Sequence, residues 1–137
     1  MNKAAKLILV DASQKYLLLT RDNHPLFGDD PDLPGGTLEA GEDPIDTMIR
    51  EVYEEVGVTI DATSVNLLYE GTDYSRRGDQ YSLYMTEVPN QPVVTLSWEH
   101  SIYEWVSREE FLRRCKAAKD AYMHMVYETL LAQPVVR

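Results

Sequence analysis

The stretch from Gly35 to Val58 constrains the fold of this chain most, because it holds a helix together with its start and stop signals. Asp43 is a good N-cap residue, and Pro44 suits the first helical position. Gly57 stands where a left-handed residue ends a helix. Between them, apolar residues recur at helical spacing in one stripe: Ile45, Met48, Ile49, Val52 and Val56. The stretch therefore predicts an amphipathic helix that begins at Pro44 and ends before Gly57.

Three glutamates of this helix lie away from the apolar stripe. Glu51, Glu54 and Glu55 stand at positions i, i+3 and i+4, so their carboxylates are neighbours that repel one another. Arg50 is the only basic residue of the helix, and one guanidinium cannot neutralise three carboxylates. A hard divalent cation such as Mg²⁺ prefers carboxylate oxygens and leaves room for phosphate oxygens. The alternative is a solvated acidic helix face.

The spacing of the whole stretch resembles the complete Nudix box, G-x5-E-x7-R-E-U-x-E-E-x-G-U, in which U is a bulky aliphatic residue. Residues 36–58 carry all of its fixed residues, and both U positions are valine. At residue frequencies of about 5–7%, such a match arises by chance on the order of 10⁻⁸ times per start position. The chain is thus identified by resemblance as a MutT-like member of the Nudix hydrolase superfamily. The matching residues are Gly36, Glu42, Arg50, Glu51, Glu54, Glu55 and Gly57.

The predicted elements follow the order β-β-loop-α-β-β-β-β-α. Strands are predicted over residues 4–12, 16–20, 66–74, 80–88, 93–96 and 102–106. The apolar residues of the second strand are continuous, which predicts a strand covered on both faces. A capping box at Ser107–Glu110 predicts a C-terminal helix that is broken near residues 117–120. Propensity favours an α+β class with a mixed sheet between helices. The resemblance implies the Nudix α/β/α sandwich, in one domain spanning residues 1–137.

The resemblance also implies a metal site for Mg²⁺ or Mn²⁺. Its ligands would be Glu51, Glu54 and Glu55, with the carbonyl of Gly35 and the carboxylate of Glu99 as further ligands. Glu99 stands six residues before a strand tryptophan, Trp105, as does a loop glutamate of MutT-like enzymes that binds metal or acts as base. An exposed loop acid is the alternative for Glu99, and His100 and Glu104 compete for the same role.

Catalysis would need a base and residues that orient the glutamates. Glu54 and Glu99 are the two candidates for the general base, since family members differ in which glutamate takes the proton from water. Arg50 would fix the rotamers of the glutamates. Glu42 would orient Arg50 or touch an outer metal ion.

Three residues are candidate substrate contacts. Arg21 ends the second strand, where the family has its substrate cleft, and is a phosphate or base contact or an exposed arginine. Gly36 would shape the turn beside the phosphates. Tyr74 lies 16 residues beyond the box, where dinucleoside-polyphosphate hydrolases tend to carry a base-stacking tyrosine. Arg76 and Arg77 are predicted to be solvated, with a substrate contact as the alternative.

The acidic charge is concentrated in one region. Residues 29–61 contain eleven acidic residues and one basic residue, which accounts for the whole net charge of −10. Such a surface should repel nucleic-acid polymers and anionic membranes, and it predicts a nucleotide-like small-molecule substrate that arrives with metal ions. The loop His24–Pro34 carries Asp29, Asp30 and Asp32, which form a weak metal site or, as we predict, a solvated loop.

Other sequence features bound the location and the assembly. The N-terminal apolar run is too short for a secretory signal, no run approaches the length of a transmembrane helix, and a cytoplasmic location is predicted. The one cysteine, Cys115, excludes an internal disulfide and is predicted to be a small buried residue. Homodimers are common in the family, so the resemblance leaves a homodimer open.

The predicted function is Mg²⁺-dependent hydrolysis of a phosphoanhydride in a nucleoside diphosphate linked to another group X. A (deoxy)nucleoside triphosphate or a modified form of it is the first candidate substrate, and a dinucleoside polyphosphate is the second. The proline signature of ADP-ribose hydrolases is missing, since Asp73 and Tyr74 occupy those positions. A non-catalytic nucleotide-sensing Nudix domain is an alternative from another class, and a structural acidic protein is a third.

Overall fold

The structure, a computed structural model, describes residues 2–133 apart from the side chain of Ser101. It contains seven strands, three α-helices and one 3₁₀ helix, Ala62–Ser64. The strands are β1 (Lys3–Asp11), β2 (Lys15–Arg21), β3 (Pro31–Asp32), β4 (Gly35–Thr37), β5 (Asn66–Gly71), β6 (Gln80–Val88) and β7 (His100–Ser107). The helices are α1 (Pro44–Val56), α2 (Arg108–Ala117) and α3 (Ala121–Ala132).

The sheet is mixed and divides at one end. Strand β1 runs parallel to β6 and antiparallel to β2 and β4, while β2 also pairs antiparallel with β3 and β7. The hairpin partners β1 and β2 pair only near Val10 and Tyr16. Beyond that point β4 pairs with β1 at Lys6, and β3 pairs with β2 at Leu19. We call this opening between β1 and β2 the fork.

Helices cover both faces of the sheet. Successive side chains of a strand point to opposite faces, so Leu7 and Leu9 of β1 pack with α1. The intervening Ile8 and Val10 pack in a second cluster with α2 and α3. Leu18 of β2 belongs to this second cluster and is likewise buried. The arrangement is the predicted α/β/α sandwich, and the prediction that the second strand is covered on both faces is confirmed.

Helix α1 has the predicted limits. The side chain of Asp43 accepts a hydrogen bond from the backbone N–H of Asp46, and Pro44 is the first helical residue. Gly57 adopts a left-handed conformation with φ 74°, and its N–H donates to the carbonyl of Tyr53. Of the predicted stripe, Met48, Val52 and Val56 are fully buried. The helix is therefore anchored at both ends and along one face.

The strand predicted over residues 93–96 is wrong. The backbone N–H groups of Thr95 and Ser97 donate instead to the carbonyls of Val56 and Glu55, each at 2.9 Å. The last carbonyls of a helix have no partner within the helix and accept donors from elsewhere. The segment is therefore attached to the C-terminal end of α1 rather than to the sheet.

The C-terminal region is broken as predicted, between α2 and α3. Ser107 caps α2 by accepting from the N–H of Glu110 at 3.1 Å. The capping box is only half formed, because the carboxylate of Glu110 pairs with Arg113 and Arg114 rather than returning to the helix start. Cys115 is buried, as predicted.

Within residues 2–133, none of the helices has the length and apolar character that crossing a membrane requires. The cytoplasmic location stays a prediction from the sequence.

Candidate functional site

A cavity of about 640 Å³ opens at the fork. Its walls come from strands β1 to β4, helix α1, the loop after β2 and the loop that precedes β7. Most of the residues predicted to form the site meet here. They are Arg21, Gly35, Gly36, Glu51, Glu55 and Glu99.

Three other predicted residues do not line this cavity. Glu54, which directly precedes Glu55 on α1, is exposed and pairs with Arg50. The hydroxyl of Tyr74 donates to the carboxylate of Glu128 on α3, at 2.8 Å. The structure thus places Tyr74 against α3, and places Glu54 and Arg50 next to the cavity rather than in its wall.

Arg50 forms ion pairs with three of the box glutamates. Its guanidinium lies 3.1 Å from Glu51, 3.4 Å from Glu54 and 2.9 Å from Glu42. Glu42 therefore occupies the first of its two predicted positions, as the partner of Arg50. Because one cation is shared among these carboxylates, it leaves their charge only partly neutralised and holds their orientation.

Glu55 is a buried carboxyl, with 8% of its surface exposed. Burial raises its pKa from the usual 4.5 to about 7, although a hydrogen bond from the backbone N–H of Gly35, at 2.7 Å, acts in the opposite direction. Burial also raises the pKa of Glu51, and the charge of Glu54 adds to that effect. Too little positive charge lies near either carboxyl group to stabilise its ionised form. A bound cation would supply that charge.

Gly36 permits the close approach of α1 to β4. A Cβ atom at this position would lie 2.8 Å from the carboxyl carbon of Glu51. Gly35 has φ 143°, and a Cβ atom there would collide with the backbone of Ala5 and Lys6. The two glycines therefore bring an open backbone edge next to the carboxylates of Glu51 and Glu55.

The donor set fits a hard divalent cation. Glu51, Glu55 and Glu99 offer only oxygen atoms, which suit Mg²⁺ or Mn²⁺. Among the described residues, no group of three or more His, Cys, Asp or Glu side chains is already arranged around an ion position. A metal ion would have to compete with Arg50 for the carboxylate oxygens of Glu51 and Glu54.

Asp32 has a role that the sequence did not predict. Only 4% of its surface is exposed, and its carboxylate lies 2.6 Å from Lys6 Nζ, 3.0 Å from His100 Nε2 and 3.5 Å from Arg21 Nη2. Burial alone would raise its pKa, but the Lys6 ammonium, the His100 hydrogen bond and the Arg21 guanidinium hold that pKa well below 3.8. Asp32 thereby fixes the cationic wall of the cavity.

The predicted solvated loop is therefore wrong at two of its three aspartates. Asp29 is exposed, as predicted. Asp30 is buried, and its carboxylate accepts from the backbone N–H groups of Lys119 and Asp120 at the start of α3. Both buried aspartates take partners distant in sequence, which local composition cannot reveal. One sequence signal was available, since Lys6 interrupts an apolar strand covered on both faces and needs a buried anion.

The competitors of Glu99 have other partners. His100 is buried and contacts Asp32 through Nε2. Glu104 forms a two-point ion pair with Arg114, at 2.7 and 3.1 Å, and does not line the cavity. Glu99 is exposed at the cavity and adds to the raised pKa of Glu51. The geometry thus favours Glu99 over both competitors.

Arg76 and Arg77, in the turn between β5 and β6, are both exposed, in agreement with the prediction that they are solvated. Arg77 pairs with Asp79 at 2.8 Å.

Comparison with known proteins identifies the family. A model of the NUDIX domain matches residues 1–126. The chain belongs to the Nudix family. A Nudix protein of known structure, described as a binary complex of the C. elegans Ap4A hydrolase, superposes with a TM-score of 0.70 and 25% identity, covering 96% of each chain. The fold is the Nudix fold.

Curated Nudix relatives have different named substrates. A putative 8-oxo-dGTP diphosphatase of Bacillus subtilis is 27% identical over 77% of this chain and 66% of its own length. The human diphosphoinositol polyphosphate phosphohydrolase 2 is 27% identical over 82% of this chain and 60% of its own length. The chain therefore spans about two thirds or less of the length of these relatives.

Proposed function

We propose that this Nudix domain hydrolyses a phosphoanhydride in a nucleoside diphosphate linked to another group, with Mg²⁺ or Mn²⁺ as cofactor. The observation that carries the proposal is the meeting of Glu51, Glu55 and Glu99 in one cavity, beside the glycine edge of β4. These residues come from two elements far apart in sequence. A solvated acidic helix face would not explain why Glu55 is buried and why a loop glutamate, Glu99, lines the same cavity.

The carboxylates of Glu51 and Glu55 would hold the cation, with Glu54, Glu99 and the carbonyl of Gly35 as further ligands. When bound, the cation neutralises phosphate oxygens and lowers the pKa of a bound water. Glu99 lines the cavity and Glu54 does not, so we favour Glu99 as the group that accepts the proton of the attacking water, with Glu54 as the alternative. Arg50 lies outside the cavity lining and orients Glu51 and Glu54 through its ion pairs with them.

Lys6, Arg21 and His100 line the same cavity and carry hydrogen-bond donors. Their shared partner Asp32 holds them in place, so the cavity has a cationic wall as well as an acidic one. Such a pair of walls suits a polyphosphate that is partly neutralised by metal. The acidic charge of residues 29–61 also supports a substrate that arrives with metal ions.

We favour a (deoxy)nucleoside triphosphate, or a modified form of it, as the substrate. The volume of about 640 Å³ lies in the range of ligand pockets, roughly 300–1,000 Å³, and exceeds what the phosphates alone need. A dinucleoside polyphosphate is the second candidate, although the structure does not bring Tyr74 to the cavity. The exclusion of nucleic-acid polymers and membranes as partners, and the homodimer, stay predictions.

A nucleotide-sensing Nudix domain is the rival function. All box glutamates are present in the sequence, and Glu51 and Glu55 line the cavity, which supports hydrolysis rather than sensing alone.

A release assay distinguishes the two functions. The protein is incubated with nucleoside triphosphates, modified forms of them and dinucleoside polyphosphates, each with Mg²⁺, with Mn²⁺ and with chelator, and products are separated by ion exchange. We expect cleavage of at least one class, dependent on metal and lost in Glu55→Gln. Substrate-dependent shifts of the unfolding temperature without cleavage would support the sensor instead.

A further inference from the structure

Trp98 is exposed at the mouth of the cavity. With 91% of its surface exposed, it is the most exposed large apolar side chain in residues 2–133. It precedes Glu99 directly and lines the same cavity. An indole in this position contributes almost nothing to the core, because the free energy of apolar burial scales with the area removed from water. Its position is therefore better explained by a ligand than by folding.

The backbone around Trp98 is held in place. The N–H of Ser97 donates to the carbonyl of Glu55 at 2.9 Å, and the N–H of His100 donates to the carbonyl of Ser97 at 3.4 Å. The N–H of Glu99 also lies 3.4 Å from the hydroxyl of Ser97. Trp98 is thus attached to the end of α1 that carries the candidate metal ligand Glu55. A group stacked on the indole would stand at a fixed distance from the phosphates.

The second tryptophan of the chain, Trp105, behaves differently. It is partly buried and packs against the apolar cluster of α1. Its structural role is explained, whereas that of Trp98 is not.

Further side chains with flat or apolar surfaces line the same cavity. His24 and Pro25 belong to a short loop that closes through hydrogen bonds between His24 and Gly28, each at 2.8 Å. The His24 ring stacks on Phe27 with a centroid distance of 4.9 Å and an interplanar angle of 21°. The cavity lining therefore includes a second planar ring, that of His24, on a loop with its own hydrogen bonds.

Given the phosphoanhydride hydrolysis proposed above, on which this inference rests, we propose that Trp98 is the stacking platform for an aromatic ring of the substrate. The substrate class is then a phosphoanhydride with a nucleobase or a similar planar group, rather than a polyphosphate on a ringless or aliphatic alcohol. Every nucleobase has a π-face, so the platform selects for a ring without choosing among bases.

Fluorescence tests the stacking without turnover. The variant Trp105→Phe leaves Trp98 as the one tryptophan, and it is titrated in chelator-containing buffer with adenosine monophosphate, guanosine monophosphate and inorganic tripolyphosphate. We expect both nucleotides to quench Trp98 with saturation and tripolyphosphate to have no effect. Equal quenching by tripolyphosphate, or nucleotide binding seen by calorimetry without quenching, would overturn the platform.

The kinetic test compares Trp98→Ala, Trp98→Phe and Val93→Ala. Val93 is an exposed apolar residue of the same segment that does not line the cavity. Loss of one base–aromatic stack predicts that Trp98→Ala raises KM for a nucleoside triphosphate roughly 5- to 100-fold. We expect kcat to change little, Trp98→Phe to restore most of the affinity, and Val93→Ala to match the wild type. Cleavage of tripolyphosphate, where measurable, should not respond to Trp98→Ala.

The outcomes separate this inference from the proposed function. If cleavage depends on metal but its KM is unchanged in Trp98→Ala, the stacking platform is overturned and the proposed hydrolase function stands. Nucleotide quenching without cleavage under any metal supports the platform and overturns the hydrolase. A blue-shifted Trp98 emission that depends on protein concentration and ignores nucleotide would place the indole between two copies of the chain and also overturn the platform.

Discussion

The carboxylate of Glu55 accepts a hydrogen bond from the backbone N–H of Gly35 at 2.7 Å, which ties helix α1 to strand β4. This contact joins a candidate metal ligand to the glycine edge that faces the cavity. It also explains how a buried carboxyl group is tolerated, because one of its oxygens keeps a hydrogen-bond donor.

The stability of the metal-free protein should depend on pH through Glu55. Burial raises its pKa from 4.5 to about 7, so the folded chain binds this proton more tightly than the unfolded chain. The resulting stabilisation is fully present below pH 4.5 and is lost as the pH rises through about 7, with an upper limit on the order of 3 kcal/mol. Chemical unfolding of wild type and Glu55→Gln with chelator at pH 5 and pH 8 measures it.

In that comparison Glu55→Gln should gain stability relative to wild type as the pH rises from 5 to 8, because its amide carries no charge. If the difference in unfolding free energy between the two proteins stays constant from pH 5 to pH 8, the raised pKa of Glu55 is contradicted. Addition of Mg²⁺ at pH 8 should narrow the difference by stabilising the ionised wild-type carboxylate.

Glutamine substitutions of the three glutamates should be distinguishable by their kinetic effects. We expect Glu54→Gln, Glu55→Gln and Glu99→Gln each to lower kcat by at least about 10²-fold, the low end of a lost general base, with the fold intact. Loss of the base should also flatten the acidic limb of the pH–rate profile, and we expect this for Glu99→Gln. Circular dichroism checks the fold. Retention of the acidic limb in Glu99→Gln and its loss in Glu54→Gln would move the base to Glu54.

Two glycine substitutions should separate an effect on metal affinity from an effect on stability. In Gly36→Ala the new Cβ atom would lie 2.8 Å from the carboxyl carbon of Glu51, so the carboxylate must move. We expect Mn²⁺ affinity to fall roughly 10-fold or more, as for displaced ligand supports. Gly41 has φ 81° and nothing near its Cβ position, so Gly41→Ala should lose ~1 kcal/mol of stability and keep metal affinity.

Calorimetric titration with Mn²⁺ and thermal unfolding of both variants decide this prediction. It fails if Gly36→Ala binds Mn²⁺ like the wild type, or if the two variants lose affinity equally.

Asp32 should be essential for stability. Its removal leaves the buried Lys6 ammonium without its carboxylate, whereas Arg21 keeps an ion pair with Asp120 at 3.0 Å, and breaking a buried pair in this way destabilises by roughly 3 kcal/mol or more. Because the folded pKa of Asp32 is depressed, its contribution is present above pH 3.8 and is lost as the pH falls. Denaturant unfolding of Asp32→Asn and wild type at pH 7 and pH 2.5 should show a smaller stability deficit of the variant at the lower pH, which lies below the unfolded-state pKa of 3.8.

The matched control is Asp29→Asn in the same loop. Asp29 is exposed, and its side chain accepts from the N–H of Asn23, a hydrogen bond that asparagine can keep. Similar unfolding free energies for the two variants would show that the buried network around Asp32 is not stabilising.

The sequence predicted best those features that are specified locally. Asp43 and Gly57 mark the ends of α1 within one short segment, and both caps formed as expected. Asp32 was predicted poorly, because its partners Lys6 and His100 lie 26 and 68 residues away and meet it only through the fold. The segment at residues 93–96 resembles a strand in composition, but the backbone N–H of Thr95 donates to a carbonyl at the end of α1 instead of to a neighbouring strand.

Trp98 shows a further limit of sequence reasoning. The polar neighbours Ser97, Glu99 and His100 indicate a loop around Trp98, but they do not show whether its indole is exposed or buried. Trp98 lies in the loop before β7 and is exposed, whereas Trp105 lies within β7 and packs against the apolar cluster of α1.

The attachment of Thr95 and Ser97 to the last carbonyls of α1 has a consequence for how the substrate preference of such a domain can diversify. These two hydrogen bonds fix the segment that carries Trp98 and Glu99 relative to α1. Inserting or deleting residues between Thr95 and Glu99 would therefore shift Glu99 relative to the glutamates of the helix. The loop closed by His24 and Gly28 has its own internal bonds and can change in length without that penalty. New substrate preferences should therefore arise by remodelling the His24 loop, while the tryptophan segment keeps its length.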